Sequence, residues 1–240
     1  MTAWHDLEHA YGPADDLPAL LQALTPDPEA GVWGDVWSRI CHQGTVYSAS
    51  FPALPILQAL AASWPAAQRS MPLCLAGCIV IGAHAQGQAA ALEALGGTVA
   101  QLQALAADTL ASGLLNENDH VYMLEAALAL RGDPLWGNTL GRLLEGEFSG
   151  ICPACDTELY LAIGEYGCFA TSEDWSNRPE VARTPILPAD VATLDGTGQW
   201  LYAQSRQHPQ IANWLLHLFG HTSCPDCGAD IAVPAAIAAA

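Results

Sequence analysis

Two short cysteine pairs, Cys152-Pro153-Ala154-Cys155 and Cys224-Pro225-Asp226-Cys227, constrain this chain more than any other feature. In a CPxC turn both thiolates face one ion, and two such turns make a closed tetrahedral shell of four sulfurs. Gly228 follows the second pair and lets the backbone curl beneath the ion, because glycine tolerates positive φ. The pattern predicts a structural zinc site with Cys152, Cys155, Cys224 and Cys227 as its ligands. Two disulfides, a CxxC redox couple and an iron–sulfur centre are the alternatives. Residues 1–30 show no basic start and no long apolar run, so no signal peptide is visible and a cytoplasmic location is expected. A redox motif needs only one pair, whereas here two matched pairs each place Pro after the first Cys. Residues 156–223 exceed the usual spacing between two knuckles, so something folded is inserted there.

Charge narrows the class of partner. The chain of 240 residues carries 25 acids against 7 basic residues, a formal charge of −18. All seven cations are arginine, and acids outnumber them in both halves. Nucleic-acid binding draws on Lys and Arg contacts to phosphates, so a DNA or RNA reader is not expected. A basic protein partner, reached by electrostatic steering, suits this balance. With 51% apolar residues, the chain can bury one large core or two small ones. The charge-free stretch Pro72–Ala85 is too short to span a bilayer and reads as a helix buried on all sides.

Up to about residue 146 the pattern is helix after helix. Asp16 is read as the cap of a helix over Leu17–Leu24, and Asp27-Pro28 as the start of one through Val32, Val36, Trp37 and Ile40. Gly44 reads as a left-handed stop after it. Further helices start at Ser48 or Ser50, at Ser70, at Thr98, at Glu117 and at Asp133-Pro134. The expected fold is therefore mainly α: a HEAT-like solenoid of antiparallel helical hairpins over 1–146, at roughly forty residues per pair. An irregular helical bundle is the alternative. Residues 147–170 switch to a period of two around Cys152 and Cys155, a strand–knuckle–strand pattern. An exposed connection over 171–189 follows, then helices within Gly198–Phe219 broken at Pro209. A strand over Ile231–Val233 and a frayed tail over 235–240 complete a second domain, 147–240. It reads as a split zinc ribbon carrying an inserted helical hairpin.

The opening Trp4-His5-Asp6-Leu7-Glu8-His9-Ala10-Tyr11-Gly12-Pro13-Ala14-Asp15-Asp16 and the later His42-Gln43-Gly44-Thr45-Val46-Tyr47 carry a resemblance. Together they resemble a group of bacterial HEAT-like repeat proteins, in which HAYG and HQGT segments precede the helices and some members end in a zinc ribbon. The resemblance covers the first sixty residues, and the rest only as architecture. It implies protein binding, in some members as immunity partners of secreted toxins.

His9, Tyr11, His42 and Gln43 are expected to meet at one edge of the first helices. They form either a ligand-binding or proton-shuttling cluster, or a lock between two loops. Cys74 and Cys78 lie four apart on the charge-free helix and read as core packing, with Cys41 and Cys168 as spare thiols. His217 and His221 flank the last knuckle, but four cysteines already fill the shell. Trp175, in a polar loop beside Glu173 and Asp174, is read as an exposed partner contact. No phosphate loop, dinucleotide fingerprint or nucleophile elbow is present. The sequence thus points to a non-catalytic, zinc-stabilised acidic scaffold for a protein partner, possible immunity proteins included. The alternative is a small-molecule-binding protein or enzyme using His9 and His42.

Overall fold

The computed structural model describes residues 2–240. By internal contacts the chain divides between Leu140 and Gly141 into two compact units.

The first unit opens with a two-residue strand β1 (Glu8–His9) paired to β2 (Gly12–Pro13), then α1 (Leu17–Gln22) and α2 (Val32–Ile40). A second small hairpin follows, β3 (Cys41–His42) and β4 (Thr45–Val46), with Cys41 opposite Val46 and His42 opposite Thr45. Its two turn residues, Gln43 and Gly44, have φ of 49° and 79°. Two successive positive φ angles are what a tight hairpin turn requires. The chain continues through α3 (Ser50–Ser63), α4 (Ser70–Ala85), α5 (Ala90–Glu93), α6 (Gly96–Ala111), α7 (Glu117–Leu130) and α8 (Trp136–Thr139).

Among these, α4 sits at the centre. Leu73, Leu75, Ala76, Ile79 and Val80 along it are buried, and it packs against α2, α3, α6, α7 and α8. A helix without a polar face is expected to be covered on all sides; here most of it is, but Met71, Cys74 and Cys78 on one face are only half-buried and line a cavity. Gly82 allows part of the cover: a Cβ there would lie 2.7 Å from the Gly44 carbonyl oxygen, so the hairpin could not pack against the helix. At the start of α7, the Asn116 side chain accepts a hydrogen bond from the Asp119 amide at 2.9 Å, closing an orphan donor of the first turn.

The second unit holds a four-stranded antiparallel sheet of β5 (Glu147–Ile151), β6 (Glu158–Gly164), β7 (Gly167–Thr171) and β8 (Thr184–Pro185), in that order. Helices α9 (Gly196–Gln204) and α10 (Pro209–Leu218) follow, then a hairpin of β9 (His221–Ser223) and β10 (Asp230–Ala232), and α11 (Val233–Ala238). Its core is Phe148, Leu159, Leu161 and Ile163 of the sheet, closed over by α10 against β6 and by α11 against β5. Leu187 and His221 exchange backbone hydrogen bonds of 2.8 and 3.1 Å, which ties β9 to the chain leaving β8.

These elements correct the expectation of a mainly α, HEAT-like solenoid. About half of the described residues are helical, and four separate antiparallel sheets make the protein mixed α and β. In a solenoid each repeat touches only its neighbours, whereas α4 touches helices from both ends of the first unit. Asp16 stands at the cap position of α1, as expected, but its side chain makes no cap bond. Helix α2 does end before Cys41 and Gly44 does have positive φ, as expected, but residues 41–46 form a hairpin and not a simple stop. Of the tail expected to fray over 235–240, residues 235–238 belong to α11 with Ala236 and Ile237 buried, and only Ala239 and Ala240 lie beyond the helix. The stretch between the cysteine pairs carries four strands as well as the two expected helices.

Candidate metal centre

Both cysteine turns sit at the tips of β-hairpins, Cys152 and Cys155 between β5 and β6, and Cys224 and Cys227 between β9 and β10. The two are built alike. The Cys152 amide donates to the Thr157 carbonyl at 2.9 Å, and the Cys224 amide to the Ala229 carbonyl at 2.8 Å. Inside each turn the first cysteine's carbonyl accepts from the residue four positions on, Asp156 at 2.9 Å and Gly228 at 3.0 Å. Those two residues share positive φ, 60° at Asp156 and 73° at Gly228. Aspartate is among the few residues with a side chain that tolerate this region, so the first knuckle achieves without glycine what the second achieves with it.

The four sulfurs lie within 4.8 Å of one another. Cys152 to Cys227 and Cys155 to Cys224 are each 3.8 Å apart. A tetrahedron with metal–sulfur bonds of about 2.3 Å has edges of about 3.8 Å, the spacing of these two pairs, so the cluster is of the right size to close around one ion. The same spacing is nearly twice the roughly 2.05 Å of a disulfide, and all eight cysteines are free thiols. A cluster of several irons would hold its cysteines on different metal atoms, farther apart. The residues present therefore fit a single ion in a closed four-sulfur shell.

Electrostatics agree with that geometry. The hydroxyl of Thr157, helped by its backbone amide, draws the Cys155 thiol down to about 6. At Cys227 the backbone hydrogen bond of Ala229 lowers the value, but the neighbouring thiols together raise it to about 12. Burial, with Cys155 and Cys224, likewise raises Cys152. The thiolate is favoured at Cys155 and disfavoured at Cys152 and Cys227, because like charges this close repel. A divalent cation reverses that repulsion for all four.

Asp226 joins the two turns. Its carboxylate accepts from the Thr157 hydroxyl at 3.1 Å and from the Ser172 hydroxyl at 2.7 Å. Sequence reading missed this residue, although a carboxylate inside CPDC was visible. Replacing it should loosen the shell without removing a ligand. Asp226→Ala is expected to weaken metal affinity by about ten- to a hundredfold, the range for partners that orient ligands. Competition against a chromophoric chelator measures this, and unchanged affinity would show that the bridge plays no part.

The other candidates fall elsewhere. His9, Tyr11 and His42 do come together, with ring centroids of 6.0 Å for His9–Tyr11 and 5.8 Å for Tyr11–His42. His9 is buried and both its ring nitrogens are engaged: Nδ1 accepts from the Tyr11 amide at 3.0 Å, and Nε2 donates to Asp16 at 3.0 Å. Asp16 also accepts from Arg39 at 2.7 Å. Burial pushes the Asp16 carboxyl up, but Arg39 and His9 outweigh it and hold it below the usual carboxylate range. The arrangement locks β1–β2 onto α2, where the Ala10 amide donates to the Arg39 carbonyl. Gln43 is apart from that lock, in the turn of β3–β4. Trp175, in the second unit, is half-buried rather than exposed. Its indole donates to Glu147 at 2.7 Å, and its ring meets Phe169 edge-on. His217 and His221 are not members of the cysteine cluster.

Fold and site together define a two-unit α and β protein whose second unit holds four clustered cysteines that could bind a metal ion. Compared with known proteins, the chain matches no family model, no curated protein and no solved structure. Among the described residues, no helix is long and apolar enough to cross a membrane.

Proposed function

We propose that this chain is a non-catalytic binding protein whose acidic surface engages a basic protein, with a Zn²⁺ ion as a structural staple in its second unit. The observation that carries the reading is the charge, −18 with no lysine. Three of the seven arginines are already neutralised within the chain: Arg39 by Asp16, Arg69 by Asp108, and Arg178 by Glu173 and Glu180. What remains uncompensated is largely negative, a field that speeds encounter with a cationic partner and repels nucleic acid. Zinc is favoured for the ion because a tetrahedral set of four thiolates from two matched turns suits it, and a closed shell leaves no position for substrate. The immunity-type role implied by the resemblance of the opening segments is one form of this function, an acidic protein covering a basic enzyme. It rests on those segments and not on a solenoid.

The reading is tested on the immobilised chain with extract from its own cells, retained proteins being identified by mass spectrometry and each measured against salt. The expected partner is basic. Its affinity should fall by about tenfold or more as salt rises from 0.05 to 0.5 M, since screening shortens the reach of exposed charges. Acidic partners, or binding indifferent to salt, would contradict it.

A further inference from the structure

The cavity beside α4 encloses about 800 Å³, and three thiols line it: Cys41 of β3, and Cys74 and Cys78 of α4. Closed core packing, expected for Cys74 and Cys78, holds for neither, since both are partly accessible. Cys41 lies deeper, 2% exposed, where α2 gives way to the β3–β4 hairpin.

One face of α4 holds that hairpin. Cys78 and Gly82 on the helix and Gln86 at its end succeed one another at intervals of four, so they line up. The Gln86 side chain donates to the Gly44 carbonyl at 3.3 Å. Gly82 lies against the same carbonyl and the Val46 side chain, which a Cβ would meet at 2.7 and 2.9 Å. Cys41 stands opposite Val46 in the hairpin, and its thiol and that of Cys78 are hydrogen-bonded to each other. Simple packing would need only a small apolar residue at each position, not two sulfurs in contact beside a cavity.

The two thiols are also unlike. The hydrogen bond from Cys78, helped by the Gly44 amide, outweighs burial and draws Cys41 down. The same bond, with burial, pushes Cys78 up. Cys41 is thus the better source of thiolate, the nucleophilic form, and Cys78 keeps its proton beside it. Cys74 takes no part: its thiol donates to the Tyr122 carbonyl at 3.7 Å, and burial, with Glu125 and Asp119, pushes it up.

We propose that Cys41 and Cys78 form a reversible disulfide when a hydroperoxide enters the cavity. The Cys41 thiolate attacks one peroxide oxygen, the O–O bond breaks, and Cys41 becomes a sulfenic acid as hydroxide (or alkoxide) leaves. The Cys78 sulfur then attacks the Cys41 sulfur, the S–O bond breaks, and the departing oxygen takes the Cys78 proton to leave as water. Two thiols are oxidised by two electrons in total, and one peroxide is reduced. A thiolate with a second thiol in reach is the arrangement that stops at this reversible stage. Peroxide suits the site because it is small and uncharged, whereas a bulky disulfide would have to reach a sulfur at the back of the wall. The bond would fasten the β3–β4 hairpin to α4. This site is independent of the acidic surface and of the metal centre.

The test treats the full-length, metal-loaded protein with a small excess of hydrogen peroxide, blocks remaining thiols by alkylation, and maps peptides by mass. The expected product links the Cys41 and Cys78 peptides, loses two hydrogens, reverts with dithiothreitol, and leaves Cys74 alkylated and the metal bound. In Cys78→Ala the sulfenic acid should persist and be trapped by dimedone at Cys41. In Cys41→Ala, oxidation of Cys78 should slow by about tenfold or more, because its thiol lacks the thiolate character that sets the rate. The untreated and treated wild type decide the question even where a variant folds poorly. A pair that stays reduced while other cysteines oxidise, a link to Cys74 instead, oxidation that reaches the four clustered cysteines first, or a dimedone adduct absent from Cys41 would each overturn the proposal.

Discussion

Cys155→Ser should strip the metal from this protein and unfold much of residues 141–240, while residues 2–140 keep their structure. Structural zinc sites in small domains contribute roughly 10–16 kcal/mol of apparent binding energy, and that energy is folding energy. A whole domain has only about 5–15 kcal/mol of net stability. Removing one of four thiolates opens the shell, and the remaining three sulfurs, within 4.8 Å of one another, then lie close without a full set of ligands for the ion. The strands that carry the knuckles are short, three residues each in β9 and β10, and have little to hold them without the ion. Metal analysis should fall from one ion per chain to none. Hydrogen exchange should become fast at β9, β10 and the adjoining ends of β5 and β6. Full metal content in the variant would mean that Cys155 is not a ligand.

Ile79→Ala should do the opposite, destabilising the first unit by about 2–5 kcal/mol and leaving the metal in place, as a deleted buried aliphatic group costs its transfer energy plus a cavity. Ile79 is fully buried on α4, the helix around which the unit packs. It does not line the open pocket, so water cannot readily take its place. Denaturant unfolding followed by exchange in α4 and α7 measures the effect. A loss under about 1 kcal/mol would show that α4 is not the organising centre.

The metal ligands could be read in the sequence because their chemistry is local. A CPxC turn is compact enough to present both sulfurs on one side, so two matched pairs pointed to a cluster of all four, and the structure brings them within 4.8 Å. The α4 helix was legible for a similar reason, since a charge-free run is expected to be covered. Its neighbours were not legible. Periodicity shows which face of a helix is apolar but not which helix covers it, so a central helix and a solenoid repeat look alike. The two N-terminal hairpins escaped because each strand is only two residues long, too short for alternation to register. Gln43-Gly44 lacks the Asn-Gly signature of a tight hairpin turn. Asp16 matched a helix cap in sequence, but His9 and Arg39 are the groups it bonds. The pocket gathers residues from 37 to 138, and no local pattern could assemble it.

X-ray absorption at the metal edge of the protein as isolated tests the central claim most directly. Four sulfur neighbours at about 2.3 Å around a single zinc ion per chain are predicted. Nitrogen or oxygen in the shell, a metal–metal distance, or a metal-free protein with oxidised cysteines would contradict it.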